Sequence, residues 1–203
     1  MLLLEGMFKM RAGMDNVSIV IVGVGGQGTL LASRILGAFG VNRGVNVKVS
    51  EVHGMAQRGG TVVTYIRLGD CAVSPLIEDG CADYILSFEL MEAARALHYL
   101  KKGGTVITNT QCISPMSVVT GAAAYPEDLP ARLKEKADTI LVDAYALAEK
   151  AGETRAVNLV LLGALCALTQ GDAAEWEKAI SECVPARSIE VNLKAFELGT
   201  RVI

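Results

Sequence analysis

Residues 17–60 read VSIVIVGVGGQGTLLASRILGAFGVNRGVNVKVSEVHGMAQRGG, and their pattern decides the fold class. Residues 17–22 are almost all apolar and mostly β-branched, as in a parallel strand buried on both faces. The run opens into Gly23-Val24-Gly25-Gly26-Gln27-Gly28, a glycine-rich turn where backbone N–H groups and a helix N-terminus can face an anion. Leu30, Leu31, Ile35, Leu36 and Phe39 then recur at helical spacing, with a stop near Gly40. A second strand is predicted over 46–50, so that 17–50 forms a compact βαβ unit with a right-handed crossover. That strand empties into Glu51-Val52-His53-Gly54-Met55-Ala56-Gln57-Arg58-Gly59-Gly60, which sets an acid, an imidazole, an amide and a guanidinium among three glycines.

Downstream, 61–67 has strand character and Leu68-Gly69-Asp70 makes a turn. Residues 72–77 are predicted to return as a short strand limited by Pro75, giving a hairpin inserted into the parallel sheet. A buried strand over 83–88 precedes an amphipathic helix over 89–100, whose negative end suits Lys101 and Lys102 and whose cap is Gly103. Further strands are expected at 105–109 and 139–142, with helical character between 126 and 137. Helices follow at 143–151, 156–168, 173–183 and 188–198. The fold class is α/β: a three-layer, Rossmann-like, mostly parallel sheet with a hairpin insertion and a helical C-terminal portion.

The chain has 203 residues, 51% of them hydrophobic, enough for one full core. Residues 14–203 are read as a single domain and 1–13 as a disordered or non-native arm, with Met14 a candidate start. The 19 basic and 22 acidic residues form no block of like charge, which argues against a nucleic-acid partner. The apolar residues at the N-terminus have the wrong charge order for a signal peptide and are too few for a membrane span. Cys71, Cys81, Cys112, Cys166 and Cys183 are widely spread with no C-x-x-C pair, so no metal site is expected and the thiols fit a reducing cytoplasm.

Gly23, Gly25 and Gly28 satisfy G-x-G-x-x-G between a strand and a helix, and Glu51 ends the next strand where a ribose-binding acid would stand. NAD or FAD binding is one reading; glycines that only let strand, turn and helix approach closely are the other. In the second segment His53 can act as acid, base or donor, Gln57 can donate and accept, and Arg58 can clamp a carboxylate or phosphate. The segment can equally serve an interface, or be held by an internal Glu51–Arg58 pair. His98 reads as a helix-end residue, Asp143 as a helix cap, and Trp176 as a packing or interface anchor. No H-E-x-x-H, P-loop or G-x-S-x-G is present.

The glycine turn, the Glu51-to-Gly60 segment, Lys102-Gly103-Gly104, Asn109, Asn158, Gly163-Ala164 and the Asn192-to-Gly199 stretch together resemble the gamma-type domain of 2-oxoacid:ferredoxin oxidoreductases. The second segment is most similar to the beta subunits of the family's indolepyruvate branch. The resemblance runs from Met14 to Gly199. It implies a subunit of a heteromeric enzyme, inactive alone, that oxidatively decarboxylates arylpyruvates such as indolepyruvate to aryl-acetyl-CoA with ferredoxin as acceptor. Thiamine diphosphate, magnesium and iron–sulfur clusters are then expected in the large alpha partner subunit, and none in this chain. Carried over residue by residue, Gly23, Gly25, Gly26, Gln27 and Gly28 form the family's glycine turn and an anion site. Glu51, His53, Gln57, Arg58, Gly59 and Gly60 match its loop at the subunit junction, with Arg58 the most consequential. Ferredoxin and CoA are partners through the complex, and a homo-oligomer is one state open to the isolated chain. A stand-alone NAD- or FAD-dependent oxidoreductase and a non-catalytic assembly protein are the competing readings.

Overall fold

The apolar run forms β1 (Val17–Val24) in the computed structural model, which describes residues 14, 16–54, 60–70 and 72–203. Successive side chains of a strand point to opposite faces, and β1 uses both. Ile19 and Ile21 join one core cluster while Val20 and Val22 join the other. Helix α1 (Thr29–Asn42) then leads to β2 (Val47–His53) and β3 (Thr61–Leu68). Strand β4 (Ala82–Ser87), α2 (Leu90–Ala96) and β5 (Leu100–Asn109) follow, then α3 (Met116–Val119), α4 (Leu129–Lys136) and β6 (Asp138–Val142). The chain ends in α5 (Ala144–Ala151), α6 (Val157–Leu168), α7 (Ala173–Cys183) and α8 (Ile189–Thr200).

The six strands lie in the order β2-β3-β1-β4-β5-β6. β1, β4, β5 and β6 pair in parallel, and β3 is antiparallel to both of its neighbours. Helices α1 and α5 to α8 cover one face and α2 and α4 the other, giving the expected three layers.

Three local expectations are corrected. The unit β1–α1–β2 is not a compact βαβ, because β3 lies between its two strands. Only residues 54–60 join β2 to β3, too few for a crossover to a parallel neighbour, so β3 returns antiparallel and takes the place beside β1. The hairpin is therefore β2–β3; residues 72–77 form no strand. Finally, the helix after β4 stops at Ala96. A 3₁₀ turn (Leu97–Tyr99) turns the chain straight into β5, so Lys101, Lys102 and Gly103 are strand residues. Lys101 pairs with Asp83 instead of a helix end, and Gly103 takes φ +80° where the β4–β5 register jumps. The arm expected over 1–13 lies outside the described residues.

The helical C-terminal portion is fastened by two aromatic and two backbone contacts. Trp176 is fully buried, stacked on Phe39 of α1 at 4.3 Å between ring centroids and on Phe196 of α8 at 5.9 Å. Helices α6 and α8 cross at Gly163 and Gly199, where a Cβ would stand 2.1 Å from Phe196 O and 2.0 Å from Val160 O respectively. That close crossing sets the place of Asn158, one turn earlier on α6.

Candidate functional site

Because β2 runs in the same direction as β1, the C-terminal ends of β1, β2, β4, β5 and β6 share one edge of the sheet, the edge where open α/β sheets bind ligands. The glycine turn sits at its centre. Gly26 and Gly28 have φ of +101° and +87°, conformations that L side chains rarely adopt. Gly28 is the N-cap of α1, which has no side-chain cap and no acidic residue in its first turn. By contrast Glu89, Asp143 and Asp172 cap α2, α5 and α7 with their carboxylates. The positive end of α1 is thus left uncompensated by its own side chains, as is that of α6. Asn158, almost fully buried, donates from Nδ2 to Gly28 O at 3.4 Å.

Gln27 turns its amide inward. Its Oε1 accepts from Val24 N at 2.7 Å, and its Nε2 donates to Phe88 O at 3.1 Å and Gln111 Oε1 at 3.4 Å. It therefore pins the turn to the ends of β4 and β5. A Cβ on Gly23 would meet Gln27 Oε1 at 2.9 Å, so the small residue makes room for that pin. Asn109 continues the network, donating to Phe88 O at 3.3 Å and accepting from Ala144 N at 3.1 Å.

Two clefts flank the turn. One, of about 420 Å³, is lined by Gly25, Gly26, Gly28, Thr29 and Leu30 on one side and Glu51, His53 and Gly54 on the other. The other, of about 340 Å³, is lined by Gln27, Gln111, Tyr145, Arg155 and Asn158 among others. Strand β2 runs on to His53, so Glu51 and His53 are strand residues two apart and share a face. Glu51 Oε2 accepts from Thr64 Oγ1 at 3.4 Å, and His53 is exposed. Of the residues singled out from sequence, Gly25, Gly26, Gly28, Glu51 and His53 line this first cleft, and Gly60 joins them through its carbonyl, which accepts from Gly25 N at 3.0 Å. Gln57, Arg58 and Gly59, and with them the internal Glu51–Arg58 pair, lie outside the described residues. Exposed Leu30, Val49 and Val52 belong to the first turn of α1 and to β2.

The chain matches the family model described as pyruvate ferredoxin/flavodoxin oxidoreductase over residues 18–202. It is 43% identical to indolepyruvate oxidoreductase subunit IorB of Pyrococcus horikoshii over 195 residues, covering 93% of this chain and 96% of that one. This chain belongs to the IorB/gamma-type subunits of the 2-oxoacid:ferredoxin oxidoreductase family. The IorB subunit of Methanothermobacter thermautotrophicus is 42% identical over 190 residues, covering 91% of this chain and 96% of that one. The gamma subunit of a keto/oxoacid ferredoxin oxidoreductase from Geobacter sulfurreducens PCA superposes with a TM-score of 0.68 at 25% identity, over 92% of this chain and 97% of that one. Such a subunit serves in a heteromeric 2-oxoacid:ferredoxin oxidoreductase and does not perform the catalysis itself.

Other expectations find their places. Asp143 caps α5, accepting from Ala146 N at 3.1 Å, Trp176 is a packing anchor, and exposed His98 closes the turn after α2 through Arg95 O at 2.8 Å. Among the described residues no group of three or more His, Cys, Asp or Glu is placed to hold a metal, and no helix is long and apolar enough to cross a membrane. Sequence reasoning missed Glu89, Glu92 and Gln111. Their signal was positional: each lies within a few residues of the end of a buried strand, at the ligand edge.

Proposed function

We propose that this chain is the non-cofactor subunit of a thiamine-diphosphate-dependent arylpyruvate:ferredoxin oxidoreductase, indolepyruvate being the substrate class, that forms aryl-acetyl-CoA. Its junction with the large alpha subunit runs along β2 and the segment 54–60. The observation that carries this reading is the cleft between the uncapped N-terminus of α1 and the Glu51/His53 edge of β2. It presents donors to an anion on one wall and an acid and imidazole on the other, and is open where a second subunit would close it. Indolepyruvate is drawn from the names of the relatives; ferredoxin as acceptor and CoA as co-substrate reach the chain through the complex.

Thiamine diphosphate in the partner would supply the carbanion-stabilising chemistry of decarboxylation. This chain's own contribution would be positioning, exclusion of water and binding of an anionic group. Arg58 would clamp a carboxylate at the junction. Glycine-turn backbone N–H groups would receive an anion such as a phosphate of CoA.

The dinucleotide reading is less well supported. Strand β3 separates Glu51 from β1, so the acid does not stand on the strand adjacent to the glycine turn as a ribose-binding carboxylate would. Calorimetry with NAD and FAD tests it directly. The main reading is tested by purifying this chain with its large subunit and assaying arylpyruvate oxidation with and without it. Arg58→Ala should weaken pairing or turnover by a factor corresponding to about 2–5 kcal/mol if the guanidinium meets a desolvated carboxylate. Full activity without this chain, or an Arg58→Ala complex that assembles and turns over normally, would overturn the assignment.

A further inference from the structure

We propose that Glu92 is a positioning residue for the junction loop: acting through Thr61, its carboxylate fixes the backbone at Gly60 and Thr61, where the chain enters β3 beside the glycine turn. The proposal rests on the reading of that loop as the junction. Thr61 occupies a corner. It lies opposite Val24 in the β1–β3 register, and its carbonyl accepts from Gly54 N at 3.3 Å, closing the hairpin. The carbonyl just before it, Gly60 O, accepts from Gly25 N at 3.0 Å. The backbone at 60–61 therefore ties both walls of the larger cleft together.

The Thr61 side chain reaches into a different layer. Its hydroxyl donates to Glu92 Oε1 of α2 at 3.2 Å, an oxygen that also accepts from Arg95 Nη1 at 2.6 Å. The acceptor is delivered from a firm base. Glu89 caps the same helix, its Oε2 accepting from Glu92 N at 2.9 Å, while its Oε1 accepts from Ile113 N at 3.1 Å and from the Tyr125 hydroxyl.

Nothing about packing calls for a carboxylate at this position. Glu92 is 3% exposed, and the other buried residues of α2 are Leu90, Met91, Ala93 and Ala96. Its Oε2 is buried without a hydrogen-bond partner among the described residues, which is unfavourable for a neutral acceptor and more so for a charged one. Burial pushes the carboxyl above its ordinary range; Arg95 and Thr61 pull it down, and Glu89 adds to the rise. A position that only needed filling would be better served by an apolar side chain. What the carboxylate adds is a joint hold on Arg95 and Thr61, whose side chains also meet each other at 3.4 Å from Arg95 Nη1 to Thr61 Oγ1.

The test uses the full chain, alone and with the large subunit, in four variants: Glu92→Met, Glu92→Gln, Thr61→Val and Thr61→Ser. Glu92→Met and Thr61→Val should speed hydrogen exchange at the Gly25 and Gly54 amides about tenfold, the loss of one hydrogen bond to a charged group, and weaken pairing by a similar factor. Exchange in α6 and α8 should not change, and the melting point of Glu92→Met should equal or exceed that of the parent. Glu92→Gln and Thr61→Ser, which keep the acceptor and the hydroxyl, should leave pairing and the exchange of the Gly25 and Gly54 amides as in the parent. Unchanged exchange at Gly25 and Gly54 in both disruptive variants would overturn the proposal. So would a uniform rise in exchange across the chain with a lower melting point, which marks a merely structural ion pair. If the parent chain itself does not pair, the junction reading fails, and the exchange measurement still decides the role of Glu92.

Discussion

Replacing Gly199 by alanine should destabilise this protein, although the same change at Gly37 should stabilise it. Both glycines lie inside helices, where alanine is favoured by about 1 kcal/mol over glycine. At Gly37 of α1 a new Cβ meets nothing within 4 Å, so that gain survives and the melting point should rise by about 2–4 °C for a chain of this size. At Gly199 the Cβ would stand 2.0 Å from Val160 O, with the carbonyl carbon at 2.8 Å. That oxygen belongs to the backbone of α6 and cannot rotate away, so α6 and α8 must separate by about 1 Å to restore an ordinary contact. Overpacking of this kind costs about 1–3 kcal/mol, and an unyielding backbone puts it at the upper end. The net loss is about 2 kcal/mol, a fall of about 4–8 °C. Gly163→Ala, with Phe196 O at 2.1 Å, should behave alike. The effect should reach the site, because displacing α6 carries Asn158 away from Gly28 O. Calorimetric or circular-dichroism melts of the three variants check the signs. A Gly199→Ala protein melting at or above the parent would refute the reasoning.

Two further outcomes follow from the site. Gln27→Leu takes from Val24 N its acceptor at 2.7 Å and leaves Phe88 O with Asn109 as its side-chain donor; a cost of about 1–3 kcal/mol is expected, visible as a lower melting point and faster exchange of the Val24 amide. The buried Glu92 carboxyl, raised chiefly by desolvation, makes a pH-dependent contribution. Its folded-state value exceeds the unfolded one, so the folded chain holds the proton more tightly and the slope of stability with pH is negative across that interval. The contribution is complete below the unfolded carboxyl value and is lost as pH rises through the folded one. Denaturant titrations of the parent and of Glu92→Gln should therefore converge at acid pH and separate in favour of the variant as pH rises; parallel curves would contradict the raised value.

The sequence by itself determined the elements and their layers. Burial of β1 on both faces, the apolar helix α6, the Asp143 cap and the Gly152 stop of α5 are local facts, written in apolar pattern and capping chemistry that neighbours in the chain decide. The glycine turn and the helix start that follows it were legible for the same reason. Only the tertiary structure decided strand order, since whether β2 or β3 lies beside β1 depends on pairing between segments that no local pattern encodes. That order draws Glu51 and His53 out as strand residues facing the turn across a cleft, and moves Glu51 off the strand adjacent to the turn. It also revealed that Gln27 faces inward and that Glu92 reaches Thr61, 31 positions away in sequence. Contacts of that range are fixed by packing of layers, and a polar residue's partner can be named only once the layers are in place.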